Sequence, residues 1–235
     1  MKIILSHNEA LSLLNEGKIE KLIDNTLLKL DATEKEIEDF IFESLKYNFH
    51  SICIHPCWLE FAKALIKNNM QLTTVIGFPL GATTTKTKCN ETEESLSNGA
   101  TEIDMVINIG FLKSKKYKRV EEEIKKIRSI CSNFILKIII EASLLTKDEI
   151  INITKISEEC DADFIKTSTG FAKEGARIED IEIIKNSLSN KKIGIKASGG
   201  IKNLEILKNM IYAGATRIGT SNGIKIIKEF ISEGN

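Results

Sequence analysis

The sequence predicts an α/β fold, a TIM-type (β/α)8 barrel with a short extra N-terminal helix, built as one domain over residues 1–235. Three observations lead there. Short apolar runs alternate with longer amphipathic stretches along the whole chain, a pattern that makes a parallel sheet. Eight strand–helix units can be counted, with no linker or low-complexity segment between them. Eight units in 235 residues favour a closed barrel over an open, doubly wound sheet. No GxGxxG follows the first strand, which argues further against dinucleotide binding.

A helix is expected at about residues 6–16, followed by a first strand within IEKLIDNT. The next strands are SICIHP (51–56), LTTVIGF (72–78), EIDMVIN (102–108), FILKIIIEA (134–142), ADFIKTS (162–168), KIGIKAS (192–198) and ATRIGTS (215–221). These β-rich runs are near-continuous, as expected of strands covered on both faces. Helical patterns fill the gaps, among them TEKEIEDFIFESLKY (33–47), NETEESLSNG (90–99) and NLEILKNMIYAG (203–214), with Gly99 and Gly214 at stop positions. The densest charge run, KSKKYKRVEEEIKKIR (113–128), mixes both signs on a helical period and reads as a solvated helix face.

Apolar residues make up 42 % of the chain, enough for a large core and too many for disorder. Lys+Arg and Asp+Glu both number 33, so nothing in the net charge favours nucleic acid or an anionic membrane as partner. Five scattered cysteines, an odd number, fit a reducing, cytoplasmic setting. The opening MKIILSHNEA turns polar too early for a signal peptide, and no apolar run approaches the roughly 18 residues of a membrane span.

Function in such a barrel gathers at the C-terminal ends of the strands. The ionisable residues there are Asp24, Cys53, Asp104, Glu141, Lys166, Lys196 and Arg217. Lys166 and Lys196 each close an apolar strand, where lysine is rarely found without cause. They fall on neighbouring strands, so their ammonium groups could approach to about 6 Å and repel by roughly 3 kcal/mol. One of them is then partly neutral near pH 7, and a neutral amine in a closed pocket can form an imine with a carbonyl. The alternative is a buried salt-bridge network in which the lysines pair with Asp104 or Glu141. Glycine-rich turns follow strands six to eight, at Gly170, at Gly199 and Gly200, and from Gly219 to Gly223. Their bare amides could hold an anion such as phosphate, or they are ordinary tight turns. Metal readings are weak: three histidines show no HxH or HExxH spacing, and Cys53, His55 and Cys57 would point in different directions.

Several segments resemble signatures of the deoxyribose-phosphate aldolase family: DFIKTSTGF (163–171), GIKASGGIK (194–202), GATEIDMVINIG (99–110), GFPLGATTTKTK (77–88), IDNTLLK (23–29), LKIIIEASLLT (136–146) and GATRIGTS (214–221). The likeness runs in order from about residue 19 to 225. It implies a class I aldolase, a lyase of deoxyribonucleotide catabolism and carbohydrate degradation, with no metal and no organic cofactor. The substrate would be 2-deoxy-D-ribose 5-phosphate, cleaved reversibly to acetaldehyde and D-glyceraldehyde 3-phosphate. It further implies Lys166 as the Schiff-base nucleophile. Lys196 and Asp104 would move protons, with Lys196 also lowering the pKa of Lys166. Gly170, Gly199, Gly200, Gly219 and Ser221 would hold the phosphate. A homodimer is the assembly considered, with neither nucleic acid nor membrane as partner. Four features depart from the family pattern: Asn25, His55 and Asn222 at their motif positions, and a chain ending in SEGN without a C-terminal Tyr. They bear on rate and substrate preference. A different sugar-phosphate aldolase, or a non-catalytic sugar-phosphate sensor, are the rival readings.

Overall fold

Strand β1 (Ile23–Leu27) pairs in parallel with β2 (Ser51–Ile54) on one side and with β8 (Arg217–Thr220) on the other, which closes the sheet. Between them run β3 (Gln71–Ile76), β4 (Glu102–Val106), β5 (Ile135–Ile139), β6 (Phe164–Lys166) and β7 (Gly194–Ser198). The order is β1-β2-β3-β4-β5-β6-β7-β8, a closed parallel barrel as the sequence predicts. The computed structural model describes residues 2–67, 70–189 and 192–233; of the SEGN terminus, Gly234 and Asn235 therefore lie outside the described residues.

The N-terminal helix α1 (His7–Asn15) starts at a capping box between Ser6 and Glu9. After β1 to β4 come α2 (Glu34–Lys46), α3 (Leu59–Ile66), α4 (Thr85–Ser97) and the pair α5 (Ile109–Lys113) and α6 (Tyr117–Ile130). After β5 to β8 come α7 (Lys147–Glu159), α8 (Ile178–Ser187), α9 (Leu204–Ala213) and α10 (Gly223–Glu233). Gly214 and Gly99 do end their helices, both at positive φ. Three boundaries are sharpened or moved. IEKLIDNT opens as a 3-10 turn (Ile19–Leu22) before the strand begins. Helix α4 starts at Thr85, capped by Thr84, well before residue 90. The charge run from 113 to 128 is not one helix, because Lys115 takes a left-handed φ of 57° between α5 and α6.

The strands are near-continuous only in burial. Their alternate residues divide between two environments. Ile23, Ile52, Ile54, Leu72, Ile103, Met105, Leu136, Ile138, Ile165, Ile195, Ala197 and Ile218 join the apolar layer beneath the helices. The residues between them point into the barrel and carry most of its polar groups, including Asp24, Thr73, Glu102, Asp104, Lys137, Lys166, Lys196 and Arg217, all buried. Most core packing thus lies outside the sheet, and the barrel interior holds these charged groups together with a few apolar side chains such as Cys53, Val75 and Phe164.

Candidate active site

Register brings the chemistry together. Lys166 on β6 is level with Lys196 on β7, and Lys196 with Arg217 on β8. Across the barrel, Asp104 on β4 is level with Lys137 on β5. Asp104 is the hub. Its Oδ2 accepts hydrogen bonds from Lys166 Nζ at 2.8 Å and from Lys196 Nζ at 2.7 Å. Its Oδ1 accepts one from Lys137 Nζ at 2.7 Å. Lys196 also pairs with Asp24 Oδ2 at 2.5 Å, and Arg217 Nη1 donates to Asp24 Oδ1 at 2.8 Å. Glu102 lies 2.5 Å from Lys137 and 3.4 Å from Arg217.

The two lysines are therefore close neighbours that share a buried carboxylate. Their electrostatics differ nonetheless. Burial pushes Lys166 below the ordinary lysine range, with the Lys196 charge adding to it against the pull of Asp104. Burial works the same way on Lys196, but Asp104 and Asp24 together overcome it and hold that ammonium well above the usual range. Asp104 is desolvated too, yet the charges of Lys137, Lys166 and Lys196 keep it far below the usual carboxylate range.

Lys166 also lines a cleft of about 360 Å³ at the C-terminal end of the barrel. Gly170, Gly199, Gly200, Gly219 and Ser221 all line the same cleft, with Lys29, Phe171, Lys202 and Asn222. Gly200 has φ 77°, a backbone conformation that favours glycine, and a Cβ there would meet nothing within 4 Å. Gly219 has a different reason: a Cβ would come within 2.9 Å of Lys196 Cε, so its absence makes room for the lysine chain. The turn after β8 is pinned where Thr220 Oγ1 donates to Ile201 O at 2.6 Å and accepts from Asn222 N at 2.9 Å, just before α10 begins. Beside the lysines, Leu28, Cys53, Val75 and Phe78 form a small apolar cluster. Cys53 serves there as apolar filler, and burial pushes its thiol up.

Some expected residues lie elsewhere. Among the described residues Glu141 pairs with no lysine; it accepts from the Thr169 backbone amide at 3.3 Å and from the Thr169 hydroxyl. Asn25 faces outward, donating to Ser44 Oγ on α2 at 2.9 Å, and His55 Nε2 lies 3.2 Å from Leu28 O. Cys57 is exposed while Cys53 is buried in the barrel. The residues that sequence reasoning missed are Lys137 and Glu102. Asp104 and Glu102 are two apart on one strand, and a period of two carried back from Asp104 would have marked Glu102 as interior. Asp24, His50 and Glu102 have donor atoms close enough for a metal ion. Lys137 and Arg217 already bridge the two carboxylates, however, so that corner is filled by cations.

A closed parallel barrel with a buried lysine, its pKa pushed down, lining a glycine-rich cleft is the architecture of a barrel enzyme, and an uncharged amine in such a place can add to a carbonyl. Residues 19–229 match the DeoC/LacD family of aldolases. The chain is 50 % identical over 186 residues to a deoxyribose-phosphate aldolase of Metamycoplasma arthritidis, covering 79 % of this chain and 85 % of that one. It is 46 % identical over 212 residues to that of Finegoldia magna, covering 90 % and 99 %. The solved structure of an aldolase called QR15 superposes with a TM-score of 0.88 at 42 % identity, covering 92 % of this chain and 97 % of that one. The protein belongs to the DeoC/LacD aldolase family. Among the described residues, no helix is long and apolar enough to cross a membrane.

Proposed function

We propose that this chain is a class I aldolase that reversibly cleaves 2-deoxy-D-ribose 5-phosphate to acetaldehyde and D-glyceraldehyde 3-phosphate through an imine on Lys166. The observation that carries the reading is the shared Asp104 oxygen: it brings a depressed amine and a firmly charged one together, and only Lys166 of the two lines the cleft.

Chemistry then follows from electron flow. The neutral Nζ of Lys166 adds to C1 of the open-chain sugar, and the carbinolamine loses water to give an iminium ion. That cation draws electrons from the C2–C3 bond, the bond one carbon removed from the imine carbon. The 3-hydroxyl gives up its proton as C3 becomes the aldehyde of glyceraldehyde 3-phosphate. C2 is left as an enamine, takes up a proton to become the acetaldehyde imine, and water releases acetaldehyde. Asp104 and Lys196 move these protons. The iminium is the electron sink, so neither a metal nor an organic cofactor is needed. Amides of Gly199, Gly200 and Gly219, with Gly170 and the Ser221 hydroxyl near the start of α10, hold the phosphate. The same reading places the enzyme in the cytoplasm, where its unpaired cysteines stay reduced, and takes it as a homodimer, which sedimentation would check.

The deciding assay is cleavage of deoxyribose 5-phosphate with the released aldehyde reduced enzymatically. Acetaldehyde as product is the expected result. Folded protein that releases a different aldehyde from another sugar phosphate, or none, would sink the substrate reading.

A further inference from the structure

Within the barrel interior, among the described residues, three carboxylates (Asp24, Glu102, Asp104) face four cationic side chains (Lys137, Lys166, Lys196, Arg217). As ordinary ions they leave one positive charge unbalanced. Net charge in a desolvated cavity is costly, so the cluster gains by shedding a proton. Arg217 cannot supply it, since a guanidinium stays protonated. Contacts separate the three lysines. Lys137 Nζ reaches Glu102 Oε2 at 2.5 Å, Asp104 Oδ1 at 2.7 Å and Asp24 Oδ2 at 3.6 Å. Lys196 reaches Asp24 at 2.5 Å and Asp104 at 2.7 Å. Among the described residues Lys166 has only Asp104 Oδ2, at 2.8 Å, and shares it with Lys196. The least compensated cation is thus the one at the cleft.

We propose that Lys137 is a positioning residue for the nucleophile: as the cation that completes a balance of three charges against three, it lets Lys166 stand as an uncharged amine. This rests on the imine reading above and adds the device that prepares the amine. Lys137 does not line the cleft and so acts through the cluster. The groups facing it come from β1 (Asp24), β4 (Glu102 and Asp104), β7 (Lys196) and β8 (Arg217). β2 adds Cys53 and β3 the uncharged Thr73, while His50, just before β2, sits 3.1 Å from Glu102 at the other end of the network. Individual tendencies agree with the count. Against burial, Asp104 and Glu102 hold Lys137 charged, whereas Lys166 is pushed down.

The test is the pH at which acetaldehyde and cyanoborohydride label half of Lys166. In Lys137→Met the remaining charges balance with Lys166 protonated, so labelling should move alkaline by about 1–3 pH units. Glu102→Gln removes a negative charge, so labelling should move in the acid direction by a similar amount. Lys137→Arg should restore the wild-type profile. A packing role alone would not move the two profiles in opposite senses. Unmoved profiles, or shifts in one direction, would overturn the proposal; if Lys137→Met does not fold, Glu102→Gln and Lys137→Arg decide it. Acetaldehyde labelling does not involve the sugar phosphate. Wild type that is labelled but does not cleave deoxyribose 5-phosphate loses the substrate reading alone. Wild type that is not labelled loses the imine reading.

Discussion

Lys166 and Lys196 end on the same atom, Asp104 Oδ2, at 2.8 and 2.7 Å. Their nitrogens can be no farther apart than those two bonds laid end to end. Repulsion between them is relieved in one direction only, because Lys196 has Asp24 as a second anchor and Lys166, among the described residues, has none.

Reductive trapping with substrate should therefore place the covalent adduct on Lys166 alone, as read by peptide mass mapping. Lys166→Arg should lose the label and lower kcat by about four orders of magnitude or more, since a guanidinium stays protonated and forms no imine. Lys196→Leu should keep the label. Removing a positive neighbour raises the Lys166 pKa, so the residual activity should appear only at higher pH. It should also cost about 3–5 kcal/mol of stability in denaturant titration, because Asp24 and Asp104 lose a buried partner. An adduct on Lys196, with Lys166→Arg active, would reverse the assignment.

The phosphate assignment is best probed by charge. Ser221 is exposed at the cleft rim just before α10, so Ser221→Glu should fold normally. Repulsion should lower kcat/KM for deoxyribose 5-phosphate by about tenfold or more and leave unphosphorylated deoxyribose almost unaffected. Equal losses on both substrates would place the phosphate elsewhere.

How much of this was legible in the sequence depends on which period was read. Barrel closure, both lysines, Asp104 and the glycine turns follow from alternation of elements and from charged residues at strand ends. Lys137 stayed hidden in FILKIIIEA, where continuous apolar neighbours mask the inward phase. Glu102 opens its strand, ahead of the apolar residues that mark the run. The split at Lys115 could not be read either, because a left-handed lysine in a run of lysines leaves no mark in composition. Partnership is the harder matter: Asp104 points into the barrel from the middle of β4, whereas Glu141 lies beyond the end of β5 with a left-handed φ of 48° and turns to Thr169.

Acid should unfold the protein in a defined window. Despite their desolvation, the cationic neighbours of Asp24, Glu102 and Asp104 hold all three below the ordinary carboxylate range. A depressed folded pKa gives stability that is complete above the unfolded values, near pH 4, and lost as pH falls below them. Denaturant midpoints should be flat from about pH 5 to 7 with respect to these groups and fall steeply below about pH 4. Asp24→Asn should reduce that acid dependence; an unchanged slope would remove Asp24 from the cause.

Activity should survive exhaustive dialysis against EDTA. The prediction rests on the proposed iminium as electron sink and on Lys137 and Arg217 spanning Asp24 and Glu102, where a metal would otherwise have its donors. Loss of activity on dialysis, with recovery on adding Zn²⁺, would overturn the class I mechanism.

Asp104 offers the sharpest separation between making the imine and moving protons, provided the right substitution is chosen. Asp104→Leu would strip Lys137, Lys166 and Lys196 of a shared carboxylate, and about 3–5 kcal/mol of destabilisation would confuse any loss of rate. Asp104→Asn keeps the shape and some hydrogen bonding. Losing that negative charge lowers the Lys166 pKa further, so the amine remains free to attack and acetaldehyde with cyanoborohydride should still label it. Proton transfer at C2 should fail. Turnover of deoxyribose 5-phosphate should drop by about 10²–10⁴-fold, and exchange of the acetaldehyde methyl protons in D₂O, followed by NMR, should slow in parallel. If Asp104→Asn is labelled yet exchanges those protons at the wild-type rate, another group moves the proton and Asp104 is left with an electrostatic role only.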